Sequence, residues 1–344
     1  MEKPTARFEH EAWNVVRIAA GALVLLFAFT ALYVTAFHSP SPKGFDVGIV
    51  GTQADASRLQ AHLDGKAPGS FDVRAYDNEA RARAALLDTD VHGVLVPRAT
   101  QDELLVAQAF GAAPTETLTT ALQHAAAAQK VPLAVEDLKP LPASDRRGLS
   151  SLFTVIGTLI PSLVFGVLLS VAGRRHPWHL RWAAVLAYAL VAGLVVAFNV
   201  DVLVGALKGH FVGIALVAGL LALAVASGAH GLGHLGGPVG IVTAIVMLML
   251  LGMSSMGGAV TYQLEPGFYG AISQLLPPGA ALTAVRNIQY FDWAATLWPL
   301  VILGAWATGG LALGLLGERF GPHVRRRRAK AAQFNGRSLV GGTA

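Results

Sequence analysis

The stretch "LSSLFTVIGTLIPSLVFGVLLSV", residues 149–171, contains 23 residues and no charged side chain. A helix of about 20 apolar residues is long enough to cross the hydrocarbon core of a bilayer. The rest of the chain has the same character, because 53% of its 344 residues are hydrophobic and only 14% are charged. Soluble domains carry about 25% charged residues. The composition therefore predicts a protein with several membrane spans.

Five further apolar runs have a similar length. In chain order, the six predicted spans are 18–37, 149–171, 182–200, 211–227, 239–257 and 293–316. The first run is longer than the roughly 7–15 apolar residues in the centre of a cleaved signal peptide. We therefore interpret it as an uncleaved signal anchor.

The distribution of basic residues predicts the orientation. The N-terminal flank, the loop after the second span and the C-terminal tail hold thirteen Lys and Arg residues, whereas the opposite short loops hold only Lys208 and Arg286. Such an excess marks the cytoplasmic side. An even number of spans places both termini there, so we predict a multi-pass protein of the cell membrane. The basic flanks indicate contact with anionic lipid and not with nucleic acid.

Residues 38–148 form a polar insert between the first two spans. Four strand-like segments, "FDVGIVG", "FDVRAY", "HGVLVP" and "VPLAVEDL", alternate with segments of helical composition. Such alternation predicts a small α/β domain with at least partly parallel strands, outside the cytoplasm. The remaining divisions are the N-terminus with the first span (1–37), a five-span membrane domain (149–316) and a basic cytoplasmic tail (317–344).

Two polar residues lie at the edge of the third predicted span. Asn199 and Asp201 belong to "FNVDVLVGALKGH" (198–210), which we interpret as a loop. Ionisable groups within a span are costly and frequently functional. Asp201 is either a solvated residue at the end of a helix or, with Asn199, part of the lining of a transport path.

Two histidines follow the fourth predicted span. His230 and His234 are four residues apart in "AHGLGHLGGPVG" (229–240), so on a helix they would share a face, as in zinc sites. The glycine content instead favours a turn with two interfacial histidines, and no carboxylate nearby completes a site. There are no cysteines, which excludes thiolate ligands and disulfides. We predict neither a metal nor a cofactor.

The segment "QLLPPGAALTAVRNIQYFD" (274–292) separates the last two predicted spans. Pro277 and Pro278 should end one short helix before a second one begins. Irregular backbone at membrane depth requires cover from protein or a water-filled cavity, so we predict a re-entrant helix pair within 264–291. Gln274 and Arg286 are its polar members. Arg286 either extends to the membrane interface, which we favour, or contacts an anion.

Several short segments together resemble a known family. The insert begins with "VGIVG" (47–51), continues to "VLVP" ending at Pro97, and returns through "PLPASDRRG" (140–148). Before the last span, a hydrophobic segment (272–276), two prolines and a small-residue segment ending at Arg286 follow one another. With one span before the insert and five after it, this order resembles the ABC transporter permeases of the second (exporter) type, and among them the phage-infection-protein-like branch. The resemblance covers nearly the whole chain.

The resemblance implies six spans and a role in exporting or handling lipids, drugs or cell-envelope precursors. Such permeases work with a separate ATPase and usually pair two membrane domains, so we expect an ATPase partner and a homodimer. Gly310 and Gly314 in the last span have the spacing that lets helices pack closely, within one copy or between two. The chain has no Walker A sequence, and we expect no enzymatic activity and no catalytic residues.

In that family a coupling helix between the second and third spans contacts the ATPase. The corresponding loop here is the short segment "GRRHPWHLR" (173–181). Its partner-coupling candidates are Arg174, Arg175, His176, His179 and Arg181. The shortness of this loop leaves room for a member that works without an ATPase.

The sequence is compatible with three candidate functions. The first is an export permease whose substrate-path candidates are Asn199, Asp201, Gln274 and Arg286. The second is an ATPase-independent envelope protein whose extracytoplasmic domain binds a partner. The third is a membrane-embedded hydrolase that uses a metal held by His230 and His234.

Overall fold

The computed structural model describes residues 4–37, 43–129, 131–258 and 261–340. Five of its helices are long and apolar enough to cross a membrane. Their apolar stretches are Ala19–Ala36, Ser150–Ala172, Trp178–Leu203, Phe211–Gly236 and Leu297–Arg319. The prediction of an α-helical membrane protein with several spans is confirmed at this level.

The elements have the following bounds. The helices are α1 (Pro4–Phe37), α2 (Gln53–Asp64), α3 (Glu79–Leu87), α4 (Ala112–Gln129), α5 (Ser150–Ala172), α6 (Trp178–Ala197), α7 (Phe211–Gly236), α8 (Pro238–Ala244), α9 (Gly252–Ser254), α10 (Gly267–Ser273), α11 (Pro277–Tyr290) and α12 (Leu297–Val340). The strands are β1 (Phe45–Val50), β2 (Phe71–Tyr76), β3 (Gly93–Val96), β4 (Asp102–Val106) and β5 (Leu133–Asp137).

The fifth predicted span, 239–257, differs from the others. Here α8 and α9 are joined by a π-helical segment, Ile245–Leu251, into one apolar helix, Pro238–Ser254. This helix is shorter than the five long ones. The six-span layout therefore stays a prediction.

The insert folds into a five-stranded sheet with the order β2-β1-β3-β4-β5. The pairs β1–β2, β1–β3 and β4–β5 are parallel, whereas β3–β4 is antiparallel. This confirms a small α/β domain with partly parallel strands. Strand β4 was not predicted, because its short segment "DELLV" begins with two acidic residues and has no alternating pattern.

Both cores of the α/β domain include residues from far along the chain. One core joins β1 and β2 to α2 and α4, and it also contains Leu264, which precedes α10. The other joins α3 to β3, and it also contains Phe291, which follows α11. The domain is therefore packed onto the segments between α9 and α12. We call this end of the helical bundle the near end and the opposite end the far end.

Helix α7 is the centre of the bundle and contacts α5, α6, α11 and α12. Small residues make these contacts close. A Cβ on Gly310 of α12 would meet the backbone of Ser227 and Gly228 in α7, and a Cβ on Gly314 would meet the ring of Trp182 in α6. The predicted small-residue spacing in the last span is therefore used for packing within one copy of the chain.

Two loops that the sequence suggested are helical. Helix α7 continues to Gly236, so the turn predicted within 229–240 is wrong over 229–236, and the chain turns only at Gly237. The reason is packing, because a Cβ on Gly231 would meet the carbonyl oxygen of Gly310. Beyond α6, a π-helical segment Phe198–Leu203 also continues the helix into the predicted loop.

Candidate functional site

Helix α11 is buried along most of its length at the near end of the bundle. Ten of its fourteen residues are buried. We expected Pro277 and Pro278 to separate two helices, but both lie in the first turn of α11. Proline is tolerated there because the first backbone N–H groups of a helix have no partner within it. The buried, helical segment has the short length expected of a re-entrant element.

The turn before α11 is also well defined. Helix α10 (Gly267–Ser273) is the short helix expected before the two prolines, and it ends four positions before Pro277. Leu276 has extended backbone angles, φ −103° and ψ 145°, as expected for a residue before proline. The carbonyl oxygen of Leu275 accepts a hydrogen bond of 2.9 Å from Trp306 Nε1 of α12, which fixes this turn.

Four polar side chains of α11 share one face. Thr283, Arg286, Asn287 and Tyr290 follow the spacing i, i+3, i+4 and i+7, which places them on one side of a helix. Of these four residues, only Arg286 was predicted to be functional. The spacing was visible in the sequence, and it could have revealed Thr283 and Asn287 as neighbours of Arg286.

The guanidinium of Arg286 is hydrogen-bonded to the backbone of the segment that follows α9. Its Nη1 donates to the carbonyl oxygen of Gly257 (3.2 Å) and its Nη2 to that of Gly258 (2.7 Å). Both carbonyls belong to the segment after α9, where Gly257 has φ +72°. These two carbonyls hold the guanidinium against the protein, and its position relative to a membrane interface stays a prediction.

A cavity of about 270 Å³ lies over this face of α11, between the α/β domain and the near end of the bundle. Gln274 and Arg286, two of the four substrate-path candidates, both line it. The α/β domain contributes Thr89, His92 and Phe110, and the membrane half contributes Met256, Gly257, Thr261, Tyr262, Thr283, Asn287, Phe291, Ala295, Trp298 and Pro299. No lining residue carries a carboxylate, and the guanidinium of Arg286 supplies a full positive charge.

The carboxylate of Asp145 interacts with the charge of Arg286, but it already accepts two other hydrogen bonds. Asp145 attracts Arg286 electrostatically. Its two carboxylate oxygens accept hydrogen bonds of 3.0 Å from the backbone amides of Leu149 and Ser150, at the start of α5. Asp145 therefore caps α5, and the structure shows no ion pair between it and Arg286.

Aromatic contacts close the cavity on the side of the α/β domain. The ring of His92 lies between those of Phe45 and Phe110, at centroid distances of 4.4 and 5.0 Å. Burial lowers the pKa of His92 to about 4, so this side chain is neutral at physiological pH. Lys139 Nζ lies 3.5 Å from Asp292 Oδ2 and joins the domain to the loop after α11.

Glu265 is a second buried ionisable group at the near end. Its Oε1 accepts a hydrogen bond of 3.2 Å from the backbone amide of Gly257, while Oε2 is buried without a hydrogen-bond partner. Burial raises the pKa of Glu265 to about 8, against the opposing effect of the Gly257 amide. Nothing in the sequence around Glu265 indicated this position, because a glutamate between a turn and "PGFYG" has the appearance of a loop residue.

Asn199 and Asp201 lie apart from this cavity. Asn199 is exposed, and Oδ1 of Asp201 accepts a hydrogen bond of 3.2 Å from the backbone amide of Gly209. Asp201 thus fixes the connection between α6 and α7. Neither residue lines the cavity that contains Gln274 and Arg286, so the four substrate-path candidates do not form one site.

The partner-coupling candidates lie at the far end of the bundle. The connection between α5 and α6 is a short 3-10 turn, Gly173–Arg175, followed by His176 and Pro177. Arg175, His176 and His179 are exposed. The side chain of Arg174 lies outside the described part of the structure.

Arg181 is buried and takes part in an ionic cluster. Only 4% of its side chain is exposed, and its guanidinium forms an ion pair with Glu318 of α12. His234 joins the cluster, with Nδ1 3.1 Å from Arg181 Nη1 and Nε2 2.9 Å from Glu318 Oε1. Arg181 therefore links α6, α7 and α12 and does not belong to a surface for a partner.

The same cluster argues against a metal at the two histidines. His230 and His234 do share a helical face, with ring centroids 5.8 Å apart. Both ring nitrogens of His234 face Arg181 or Glu318, so neither is available to a metal in this arrangement. Within the described ranges, no group of three His, Asp or Glu side chains has metal-binding geometry.

No family model matches the chain, and neither a curated protein nor a solved structure matches it. The likeness to exporter permeases stays a prediction from the sequence segments quoted above.

Proposed function

We propose that this chain is the membrane-spanning permease subunit of an ABC-type exporter in the cell membrane, moving lipid, drug or envelope-related substrates with a separate ATPase. In this proposal Pro238–Ser254 forms the fifth of six spans, and both termini face the cytoplasm. The α/β domain then lies outside the cytoplasm, at the exit of the transport path, and two copies of the chain form the working unit.

The cavity under the α/β domain carries the proposal. A transport protein needs a place where a substrate leaves the membrane half, and irregular backbone is tolerated at such depth only beside protein or water. The re-entrant pair α10 and α11 supplies such backbone, and the cavity opens over its polar face. Its lining combines the guanidinium of Arg286 with the aromatic rings of Phe110, Phe291 and Trp298, which suits an amphiphilic substrate.

A specific observation also favours the ATPase-independent alternative. The connection between α5 and α6 contains only one short 3-10 turn, and Arg181 is committed to the buried cluster with Glu318. A coupling helix has no room in this connection. The exposed side chains that remain for an ATPase are those of Arg175, His176 and His179.

Co-purification distinguishes the two functions. The full chain is expressed from its own chromosomal context with an affinity tag, extracted in a mild detergent, and its partners are identified by mass spectrometry. We expect an ATPase subunit to accompany the wild-type chain. We expect it to be lost from an Arg175→Glu, His179→Glu variant and retained by Arg58→Glu, since Arg58 is an exposed charge in the α/β domain.

Absence of an ATPase partner would contradict the proposed function. If the wild-type chain carries no ATPase and its membrane vesicles show no ATP-dependent transport, the permease proposal is wrong. Native mass spectrometry of the same preparation measures the expected homodimer.

A further inference from the structure

We propose that the cavity at Arg286 binds the phosphate-like oxyanion headgroup of an amphiphilic molecule. The inference rests on the proposed function, because it names the chemical class of substrate that the cavity takes. It also makes a binding prediction that needs neither an ATPase nor transport.

The charge of the cavity is the first argument. Arg286 uses two of its five N–H donors on the carbonyl oxygens of Gly257 and Gly258. The other three have no acceptor among the described residues, and the lining contains no carboxylate. A guanidinium keeps its charge at physiological pH, and its planar donors match the geometry of a phosphate.

A hydroxyl without a partner is the second argument. Thr261 is 7% exposed, lines the cavity, and its Oγ1 is buried with no hydrogen-bond partner. A buried polar group without a partner is costly, and such a group commonly marks a place where a ligand or water binds. Asn287 is 6% exposed and adds an amide to the same lining. Thr261 and Asn287 line the same cavity as Arg286, and in the proposal their hydroxyl and amide groups are further donors to the oxyanion.

The apolar part of the lining indicates the rest of the ligand. Phe110, Met256 and Phe291 face the cavity, and Trp298 and Pro299 of α12 complete its wall. Trp298 is 59% exposed, and its neighbour Leu297 is 77% exposed. An apolar surface thus leads from the cavity along the start of α12, where the chains of an amphiphile would lie.

The volume of the cavity is suited to binding a headgroup. Sites for small molecules usually enclose about 300–1,000 Å³. At about 270 Å³ the cavity is close to the lower end of that range. It therefore holds a compact charged group and leaves the apolar chains outside.

Calorimetric titration of the purified full chain in dodecyl maltoside tests the inference. The three probes are dihexanoyl phosphatidic acid, dihexanoyl phosphatidylcholine and inorganic phosphate. We expect saturable binding of the phosphatidic acid, with a Kd at least about tenfold lower than that of the zwitterionic lipid, because its headgroup keeps a compact, uncovered phosphate. Inorganic phosphate should bind more weakly than the phosphatidic acid, because it lacks the apolar contacts.

Three variants locate the binding. Arg286→Lys should weaken binding of phosphatidic acid about tenfold, because lysine keeps the charge but loses the planar pair of donors. Thr261→Val should weaken it about threefold to tenfold with an unchanged Tm, since Thr261 Oγ1 bonds to no protein group. The control Lys208→Gln removes an exposed cation at the same end of the bundle and should leave binding unchanged.

Each contrary result would overturn a specific part of the proposal. If phosphatidic acid binds no better than phosphatidylcholine, or if Arg286→Lys and Thr261→Val bind as the wild type does, the oxyanion site is wrong. If inorganic phosphate binds as tightly as the lipid, the amphiphilic part is wrong. A failure here leaves the ATPase co-purification untouched, and a missing ATPase leaves this binding result untouched.

Discussion

The ring of Phe110 in the α/β domain stacks on the ring of Phe291 at the end of α11, with centroids 4.6 Å apart and planes inclined by 27°. Both rings line the cavity that contains Arg286. Asp292, the residue after Phe291, forms an ion pair with Lys139 of the α/β domain. The domain is therefore fixed to the membrane half at the edge of the candidate site, and the shape of the site depends on this contact.

The aromatic stack should couple the two halves of the molecule energetically. We expect Phe110→Ala and Phe291→Ala each to lower the stability, because each removes a large apolar side chain from packed surroundings. In a double-mutant cycle the coupling should be about 0.5–1.5 kcal/mol, the usual value for an aromatic pair. Denaturant unfolding in detergent measures it. Phe268→Ala is the control, since Phe268 is 60% exposed and should cost little; strict additivity of the two core variants would contradict the coupling.

Glu265 should make the stability fall as the pH rises. Its folded pKa of about 8 lies above the ordinary value of 4.5, so the folded state binds more protons between these two values. The contribution of the protonated carboxyl is complete below pH 4.5 and is lost as the pH approaches 8, with a slope of up to about 1.4 kcal/mol per pH unit.

Thermal unfolding of the wild type and of Glu265→Gln from pH 5 to pH 8.5 measures this slope. The glutamine variant should have a flatter profile and a higher Tm at pH 8.5 than the wild type. Glu116→Gln, a change in α4 away from the membrane half, is the control and should follow the wild-type profile. Parallel profiles for Glu265→Gln and the wild type would show that Glu265 is already ionised at neutral pH.

Two adjacent glycines of α12 should respond in opposite ways to the same change. Gly310→Ala should lower the stability by about 1–3 kcal/mol, because its Cβ would meet the backbone of Ser227 and Gly228. Gly309→Ala should leave it unchanged or raise it by up to about 1 kcal/mol, since no atom lies within 4 Å of the new Cβ and alanine favours the helix. Comparing the Tm of the two variants in detergent checks the prediction, and equal effects would contradict it.

The ionic cluster at the far end should depend on Glu318. In Glu318→Gln the buried guanidinium of Arg181 loses its carboxylate, which should cost about 3 kcal/mol, as usual when one partner of a buried ion pair is removed. Arg319→Gln changes the exposed neighbouring residue and should cost under about 0.5 kcal/mol. Unfolding in detergent measures both. If Glu318→Gln costs no more than Arg319→Gln, the ion pair between Arg181 and Glu318 contributes nothing measurable to stability, which would contradict the prediction.

Composition predicted the long apolar helices well, because a bilayer requires runs of apolar residues and such runs are visible in a sequence. The full length of helix α7 could not be predicted from composition. Its glycine-rich end had the appearance of a turn, yet it is helical because Gly231 packs against Gly310, 79 positions later. A contact at that distance along the chain leaves no local signal.

The candidate site was predictable only in part. Gln274 and Arg286 could be selected because polar residues stand out between apolar runs. The orientation of the Arg286 side chain could not be predicted, because it depends on the position of the carbonyl group of Gly257, 29 positions earlier in the chain. Glu265 was missed for the same reason, since its burial results from the α/β domain and the near end of the bundle packing around it.

The presence of Leu264 and Phe291 in the two cores of the α/β domain has a consequence for biosynthesis. The last strand of the domain ends at Asp137, but neither core is complete until the ribosome has added more than a hundred further residues. At about 5–20 residues per second, that delay is roughly six to thirty seconds. During this time the sheet must wait, with part of its apolar surface uncovered, until most of the membrane helices have been translated.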